Sequence, residues 1–234
     1  IIYNLYIIMH SGGALLLGLL FCNLFIGVNC QSAPPPPQIY VYAYSWTPGF
    51  CHNQNYPGCS NPLSYWTTNF TIHGLWPQYA TSGYPASCTT EAFDASVPQQ
   101  IGMNKMIQYW PDVQYDVDST HYDSFWQHEW SKHGTCSGLS QIEYFNQALD
   151  LTNHIPTPAV LYESIGYNIS ANALRIGFGG ADYVALQCNN QILNGAYTCW
   201  QQTNNIPSVQ IACPASVVKE DTCISSDDVI VPSL

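Results

Sequence analysis

The sequence has little positive charge. Four Lys and Arg residues stand against fifteen Asp and Glu residues in 234 residues, which gives a formal net charge of -11. A stable DNA- or RNA-binding surface needs clustered cations that release counterions from the phosphate backbone. The composition therefore argues against a nucleic-acid-binding scaffold. An enzyme that needs positive charge only within its site is still allowed.

Charged residues of either sign are scarce, at 8% of the chain, whereas hydrophobic residues make up 47%. Such a chain is too apolar to remain disordered and has too few charges for a coiled coil. The length suits one compact domain or two small ones. Without a repeat period or a regular βαβ alternation, the pattern predicts an α+β fold, an antiparallel β-sheet flanked by helices.

Several motifs that would define other enzyme classes are absent. The sequence has no CxxC pair for zinc and no GxSxG nucleophile elbow, and the glycines of 177–180 lack the GK[ST] of a phosphate loop. The zinc-binding motif HExxH has its two histidines four residues apart, on one face of a helix. His128 and His133 are five residues apart, so on a helix their side chains would point in directions that differ by roughly 140°. We therefore expect neither a metal nor a cofactor.

The first thirty residues are apolar. Their densest part, Ala14–Val28, is too short and too poorly flanked for a membrane span. We predict a signal peptide over residues 1–30, with an upstream extension before Met9, and no stable membrane association after cleavage. An uncleaved signal anchor is the alternative.

Residues 31–38 contain four consecutive prolines and are predicted to form an extended, Pro-rich linker. The main domain is predicted to cover residues 39–224, and residues 225–234 to form a C-terminal tail.

Ten cysteines are present, of which Cys22 and Cys30 leave with the predicted signal. The remaining eight form an even set, which in a secreted chain indicates four disulfides among 105 possible pairings. These eight are Cys51, Cys59, Cys88, Cys136, Cys188, Cys199, Cys213 and Cys223. The sequons at Asn69 and Asn168 predict N-glycosylation and agree with passage through an oxidising lumen.

Residue patterns predict the main strands and helices. The predicted strands are Ile39–Trp46, Phe70–His73 (ended by Gly74 and Pro77), Ala173–Phe178, Tyr183–Cys188 and Tyr197–Gln201. The predicted helices are Ser124–His133 and Ile142–Asn153.

Two segments, 73–77 (HGLWP) and 128–136 (HEWSKHGTC), concentrate His, Lys and Glu in a chain that has few of them. Residues four apart lie on one face of a helix. Glu129 and His133 form one such pair, and His128 and Lys132 form another. One carboxyl, one ammonium and imidazoles would then converge.

That set suits transesterification of an RNA phosphodiester. The reaction needs a base for the 2′-hydroxyl, an acid for the leaving 5′-oxygen and cations for the phosphorane. Imidazole fits both proton transfers, because its ordinary pKa of about 6.5 is close to the working pH.

The two segments resemble the active-site segments of the ribonuclease T2 family, and the resemblance extends over Ile39–Cys223. It implies an α+β, disulfide-stapled endoribonuclease of the secreted, endolysosomal or vacuolar type, acting without a cofactor. It implies that single-stranded RNA is cleaved through a 2′,3′-cyclic phosphate, that DNA is not cleaved, and that the chain is a monomer. The alternative is a ribonuclease-fold binding, recognition or storage protein in which catalysis is secondary.

The resemblance also implies residue roles. His133 would be the general base, His73 the general acid, His128 a phosphate ligand, and Glu129 with Lys132 the stabilisers of the pentacoordinate state. Base pockets would be lined by Trp76 and Tyr84 on one side of the phosphate and by Phe125 on the other. Gln78 stands where many relatives carry Asp, which affects base preference. The implied disulfides are Cys51–Cys59, Cys88–Cys136, Cys188–Cys223 and Cys199–Cys213.

The remaining aromatic and imidazole side chains have simpler interpretations. Trp126 and Trp130 are expected in the core, and His52, His121 and His154 on the surface. Because Glu129 is adjacent to His133 and the chain is acidic, we expect negative surroundings to favour imidazolium, with Lys132 opposing this locally, and the pH optimum to be acid.

Overall fold

The computed structural model describes residues 36–154, 157–224 and 228–234, which belong to one compact unit. The predicted signal peptide and the first residues of the predicted linker lie outside these ranges, as do residues 225–227 of the predicted tail. Among the described residues, no helix combines the length and apolar character needed to cross a membrane.

Seven strands form one sheet in the described part of the chain. They are β1 (Ile39–Ser45), β2 (Thr71–Gln78), β3 (Asn168–Ser170), β4 (Val184–Asn189), β5 (Ile192–Thr203), β6 (Ile206–Ile211) and β7 (Asp228–Ile230). The main order is β2-β1-β5-β7-β3, with β4 and β6 also pairing with β5. The pairs are antiparallel except for the short parallel contact of β5 with β7. The predicted fold class is confirmed.

Ten α-helical segments surround this sheet within the same described ranges. They are α1 (Thr47–Phe50), α2 (Pro57–Ser60), α3 (Ser64–Thr68), α4 (Val97–Ile101), α5 (Met103–Tyr109), α6 (Ser124–Lys132), α7 (Gln141–His154), α8 (Ala159–Tyr162), α9 (Ala171–Gly177) and α10 (Ala215–Val218). A short 3₁₀ turn, Gly134–Cys136, follows α6.

One predicted strand is wrong. Ala173–Phe178 belongs largely to helix α9, in which Ala171 and Leu174 are buried three residues apart while Ile176 is 66% exposed. Strand alternation would have buried Leu174 and Ile176 on the same face, so the observed burial follows the helical period.

The second predicted strand is longer than expected, because β2 continues through Gly74 and Pro77 to Gln78. Pro77 is tolerated because β2 lies at the edge of the sheet, where the missing proline N–H removes no bond from an inner ladder. Gly74 and Pro77 therefore do not end the strand, because β2 lies at the edge of the sheet.

The main core lies between the sheet and the helices. Tyr40, Tyr42 and Tyr44 alternate along β1 and enter it, and the Tyr42 hydroxyl donates to the Ala148 carbonyl of α7 at 2.9 Å. Trp126 and Trp130 are fully buried in the same core, as the sequence indicated. His52 and His121 are exposed, and the side chain of His154 lies outside the description.

Four disulfides join the pairs that the family resemblance implies: Cys51–Cys59, Cys88–Cys136, Cys188–Cys223 and Cys199–Cys213. The bridge Cys88–Cys136 fixes the turn after α6. The bridge Cys188–Cys223 ties β4 to the segment that follows α10.

A buried ion pair holds that same segment. Arg175, the sole arginine of the sequence, donates from Nε and Nη2 to the two carboxylate oxygens of Asp221 at 3.0 and 2.9 Å. Its Nη2 also donates to the Cys223 carbonyl at 2.7 Å, and Asp221 accepts from the backbone N–H of Leu186. Both charges are thus paired and hydrogen-bonded, which a buried ion pair requires.

Replacing Arg175 with Met should lower the free energy of unfolding by about 3–5 kcal/mol, because the mostly buried carboxylate of Asp221 would lose its charged partner. Urea unfolding of Arg175→Met measures this, and Lys219→Met, which removes an exposed cation nearby, is the matched control. A loss below about 1 kcal/mol would show that the pair is not a structural tie.

Candidate active site

A β-bulge in β2 places His73. Ala43 pairs with Gly74 and Tyr44 with Ile72, so His73 is the extra residue opposite that step of β1. Strict alternation would put His73 and Trp76 on opposite faces of the strand. With the bulge, Ile72 and Leu75 enter the core while His73 and Trp76 both line one cleft. The unpaired His73 carbonyl accepts a bond from Trp110 Nε1 at 3.0 Å.

A buried hydrogen bond joins β2 to α6. Trp76 Nε1 donates to Glu129 Oε2 at 2.8 Å, and Glu129 is only 1% exposed. Gly74 makes this approach possible, since a Cβ at residue 74 would overlap both Glu129 Oε2 and Trp76 Nε1. The HGLWP segment and helix α6 therefore pack closely at this bond, in space that only a glycine at residue 74 leaves open.

Helix α6 supplies the remaining charged groups. Glu129 and Lys132 lie within it, and His133 is its C-cap residue. Gly134 follows, where a Cβ would overlap the ring of Trp130, so the chain passes closely over the core at this point. His133 is thereby held beside the cleft.

His133 is 5% exposed and stacks on Trp76, with ring centroids 5.1 Å apart and an interplanar angle of 24°. Its Nδ1 is buried and has no hydrogen-bond partner among the described residues. Because imidazolium would have to donate from both nitrogens, this environment favours the neutral ring. Burial, followed by the charges of Lys132, His128 and His73, lowers the pKa of His133 to about 3.

His73 is more accessible, since 42% of its side-chain surface is exposed. Its ring makes edge contacts with Trp76 and with Phe125, each at 5.3 Å between centroids. Desolvation by these walls, followed by the charges of His128 and Lys132, lowers the pKa of His73 to about 4. Ser45 Oγ lies 3.4 Å from its Nδ1.

Glu129 lies 3.9 Å from His73, measured from Oε1 to Nε2. Burial raises the pKa of Glu129 to about 8, against the opposing effects of the Trp76 bond and of Lys132. The carboxyl is therefore neutral at acid pH, and it does not favour imidazolium at His133. The prediction that Glu129 supplies negative charge beside His133 is therefore wrong, because burial keeps this carboxyl protonated.

Lys132 is the local source of positive charge. Burial lowers the pKa of His73, of His133 and of His128, and the Lys132 ammonium lowers each of them further. His128 itself is exposed at the rim.

The structure brings the predicted residues together in one cleft of about 670 Å³. Its walls include His73, Trp76, Gln78, Tyr84, His128, Glu129, Lys132 and His133. Tyr84 is 52% exposed with its ring 6.1 Å from that of His133, whereas Gln78 is buried.

Phe125 lines a second pocket of about 490 Å³, which shares His73 with the first. Its other walls are Ser45, Thr47, Phe50, Thr71 and residues 111–114. Asp112 is buried there, and its Oδ2 accepts a bond from Ser124 Oγ at 3.2 Å. His73 thus stands between two concave sites.

Sequence reasoning missed three residues of this region: Asp112, Trp110 and Glu220, the last of which also lines the first cleft. None lies in either motif. Asp112 and Trp110 precede α6 in a loop, and Glu220 comes from the C-terminal part of the chain, so no local pattern signals them.

Known proteins resemble this chain over most of its length. The sequence profile described as "Ribonuclease T2 family" matches residues 37–213. The chain belongs to the ribonuclease T2 family. The predicted family is therefore confirmed, and with it the predicted class of enzyme, a ribonuclease of the T2 type.

Individual relatives agree with this membership. Extracellular ribonuclease LE of Solanum lycopersicum is 30% identical over 83% of this chain and 90% of its own length. Ribonuclease 1 of Arabidopsis thaliana is 36% identical, over 53% of each chain, so that this match spans about half of the relative. Ribonuclease MC1 from bitter gourd seeds has a similar structure, with a TM-score of 0.64 and 27% identity over 82% of this chain and 99% of that one.

No group of three or more His, Cys, Asp or Glu side chains suited to a metal ion occurs in the ranges that the structure describes. Lys132 would place an ammonium beside any ion held by His128 and His133.

The raised pKa of Glu129 predicts a pH-dependent stability. Its folded pKa of about 8 exceeds the ordinary 4.5, so its contribution is complete at low pH and is lost as the pH rises towards 8. Glu129→Gln, which is always neutral, should therefore gain on the order of 3–4 kcal/mol relative to the native protein between about pH 5 and pH 8, because each of these pH units costs the native protein about 1.4 kcal/mol at most. Urea unfolding at several pH values measures this.

The exposed Glu163 provides the control, because Glu163→Gln removes one charge without altering the buried site. A difference between the native protein and Glu129→Gln that stays constant with pH would contradict the assigned protonation.

Proposed function

We propose that this ribonuclease T2 family member cleaves single-stranded RNA by metal-independent transesterification through a 2′,3′-cyclic phosphate. The observation that carries the proposal is the pairing of two histidines of different exposure across one cleft. His133 is buried and neutral, which suits a general base, and His73 is accessible and flanked by two pockets, which suits a general acid.

The contacts of the two histidines support one orientation of the substrate. The general base acts on the 2′-hydroxyl of the nucleoside on the 5′ side of the scissile phosphate. Trp76 and Tyr84 are the aromatic neighbours of His133, so they would stack the base of that nucleoside. Phe125 adjoins His73 and lines the other pocket, which would hold the leaving nucleoside.

The phosphate would lie between the histidines. Lys132 supplies a permanent positive charge there, and His128 at the rim can bind a phosphate oxygen. Glu129 contributes differently, because a neutral carboxyl donates a hydrogen bond instead of repelling the phosphorane. This supports its role as a stabiliser of the pentacoordinate state.

DNA lacks the attacking 2′-hydroxyl and would not be cleaved. Four disulfides and two sequons support an oxidising route, and we propose a secreted, endolysosomal or vacuolar location for a monomeric enzyme. We also propose the signal peptide, linker and domain bounds that the sequence predicts.

His133→Ala should lower the turnover of RNA by roughly 10²–10⁴-fold, because the general base is lost. Gel assays of RNA with EDTA present, followed by analysis of the product ends, measure the rate and detect the cyclic phosphate. His121→Ala, which removes an exposed imidazole away from both pockets, is the control. Near-native turnover in His133→Ala, full inhibition by EDTA, or equal cleavage of DNA would overturn the proposal.

The pH profile of kcat/KM should be bell-shaped with its maximum on the acid side of 6.5. The rate rises as pH passes the lowered pKa of His133, which must be neutral, and falls as pH passes the lowered pKa of His73, which must be protonated. A bound phosphate favours imidazolium, so the profile of kcat should lie at higher pH than that of kcat/KM. Initial-rate assays across the pH range test both statements. A kcat/KM maximum above neutrality would contradict the first, and a kcat profile at the same or lower pH would contradict the second.

A further inference from the structure

The cleft contains one carboxylate that the proposed reaction does not use. Glu220 follows helix α10 and lines the same cleft as Trp76, Gln78 and Tyr84. It belongs to neither motif. A negative charge near an RNA site repels phosphate, so its position needs another explanation.

The backbone at Glu220 is firmly held. Its carbonyl accepts a bond from Gln187 Nε2 at 2.8 Å, and its N–H donates to Val217 at 2.9 Å. The next residue, Asp221, forms the buried pair with Arg175, and the disulfide Cys188–Cys223 follows. The carboxylate is therefore presented from a rigid segment, as a recognition group requires.

Glu220 is close to the stacking surface. Its charge contributes to the raised pKa of Tyr197, after burial, and the Tyr197 ring contacts Trp76 at 5.2 Å between centroids. Trp76 and Gln78 are two residues apart on β2 and so lie on the same face of the strand. An aromatic surface, an amide and a carboxylate thus line the same cleft.

We propose that Glu220 is a specificity-determining residue that, together with Gln78, selects guanine on the 5′ side of the scissile phosphate. The inference rests on the proposed function, because it uses the substrate orientation assigned there. It adds a residue and a base preference that the two motifs do not contain.

Hydrogen-bond complementarity supports guanine. A carboxylate only accepts, and the N1–H and N2–H₂ groups of guanine offer it two adjacent donors. The Gln78 amide can donate to the neighbouring O6. Adenine presents an acceptor at N1 beside a single amino group, and uracil presents one N–H between two carbonyls. These bases leave the carboxylate facing acceptors.

The test compares dinucleotides that differ in the 5′ base. We expect the native protein to have a higher kcat/KM for GpU than for UpU at near-neutral pH. In Glu220→Gln the ratio of these two values should fall by roughly 5- to 100-fold, the range of one good bidentate base contact. Glu163→Gln, an exposed carboxylate outside the cleft, should keep the native ratio.

Two further measurements separate recognition from folding and from general charge effects. Inhibition by 3′-GMP should weaken in Glu220→Gln by a similar factor, whereas inhibition by 3′-UMP should not. The ratio for UpG against UpU, which varies the base on the other side, should stay unchanged. Circular dichroism and a thermal melt verify that the variant is folded.

The outcomes are distinct. An unchanged GpU/UpU ratio in a folded Glu220→Gln, or equal loss on all substrates, would overturn the inference while leaving the ribonuclease activity established. A native protein that cleaves no dinucleotide and no RNA would instead overturn the proposed function; 3′-GMP binding that still weakens in Glu220→Gln would then support guanine recognition alone.

Discussion

The β-bulge at His73 is the constraint on which the site depends. It lets Ile72 and Leu75 fill the core while His73 and Trp76 face the same cleft. Trp76 can then stack on His133 and bond to Glu129, which links the edge strand to helix α6. Without the extra residue, one of the two side chains would point into the core. The geometry of the site therefore follows from a single irregularity in β2.

Burial sets the electrostatics of this site more than charge does. Glu129 and His133 are both nearly inaccessible, and burial drives each towards its neutral form, raising one pKa and lowering the other. The charge of Lys132 is then not cancelled by Glu129, its acidic neighbour on α6. A chain with a net charge of -11 can in this way present a site whose field favours a phosphate.

The sequence predicted the residue types of the site and most of the regular elements near it. The segments 73–77 and 128–136 are contiguous, so their chemistry is visible without a fold. The bulge is not visible, because it depends on the register of β2 against β1, and the strand was expected to end at Gly74. Helix α9 was missed because its short apolar pattern fits either period until burial is known. Glu220 joins the site only through tertiary structure.

Glu220 reaches the cleft from a part of the chain that is separate from both motifs. The two histidines come from β2 and from the C-terminal end of α6, which the Trp76–Glu129 bond joins. Glu220 comes from a third segment, which is held by Arg175 and the bridge Cys188–Cys223. Because these supports are separate, the C-terminal segment can change its side chains without disturbing the histidines. Base preference can thus change through Glu220 alone, whereas Trp76 and Gln78 lie on the same strand as His73 and cannot move independently of it.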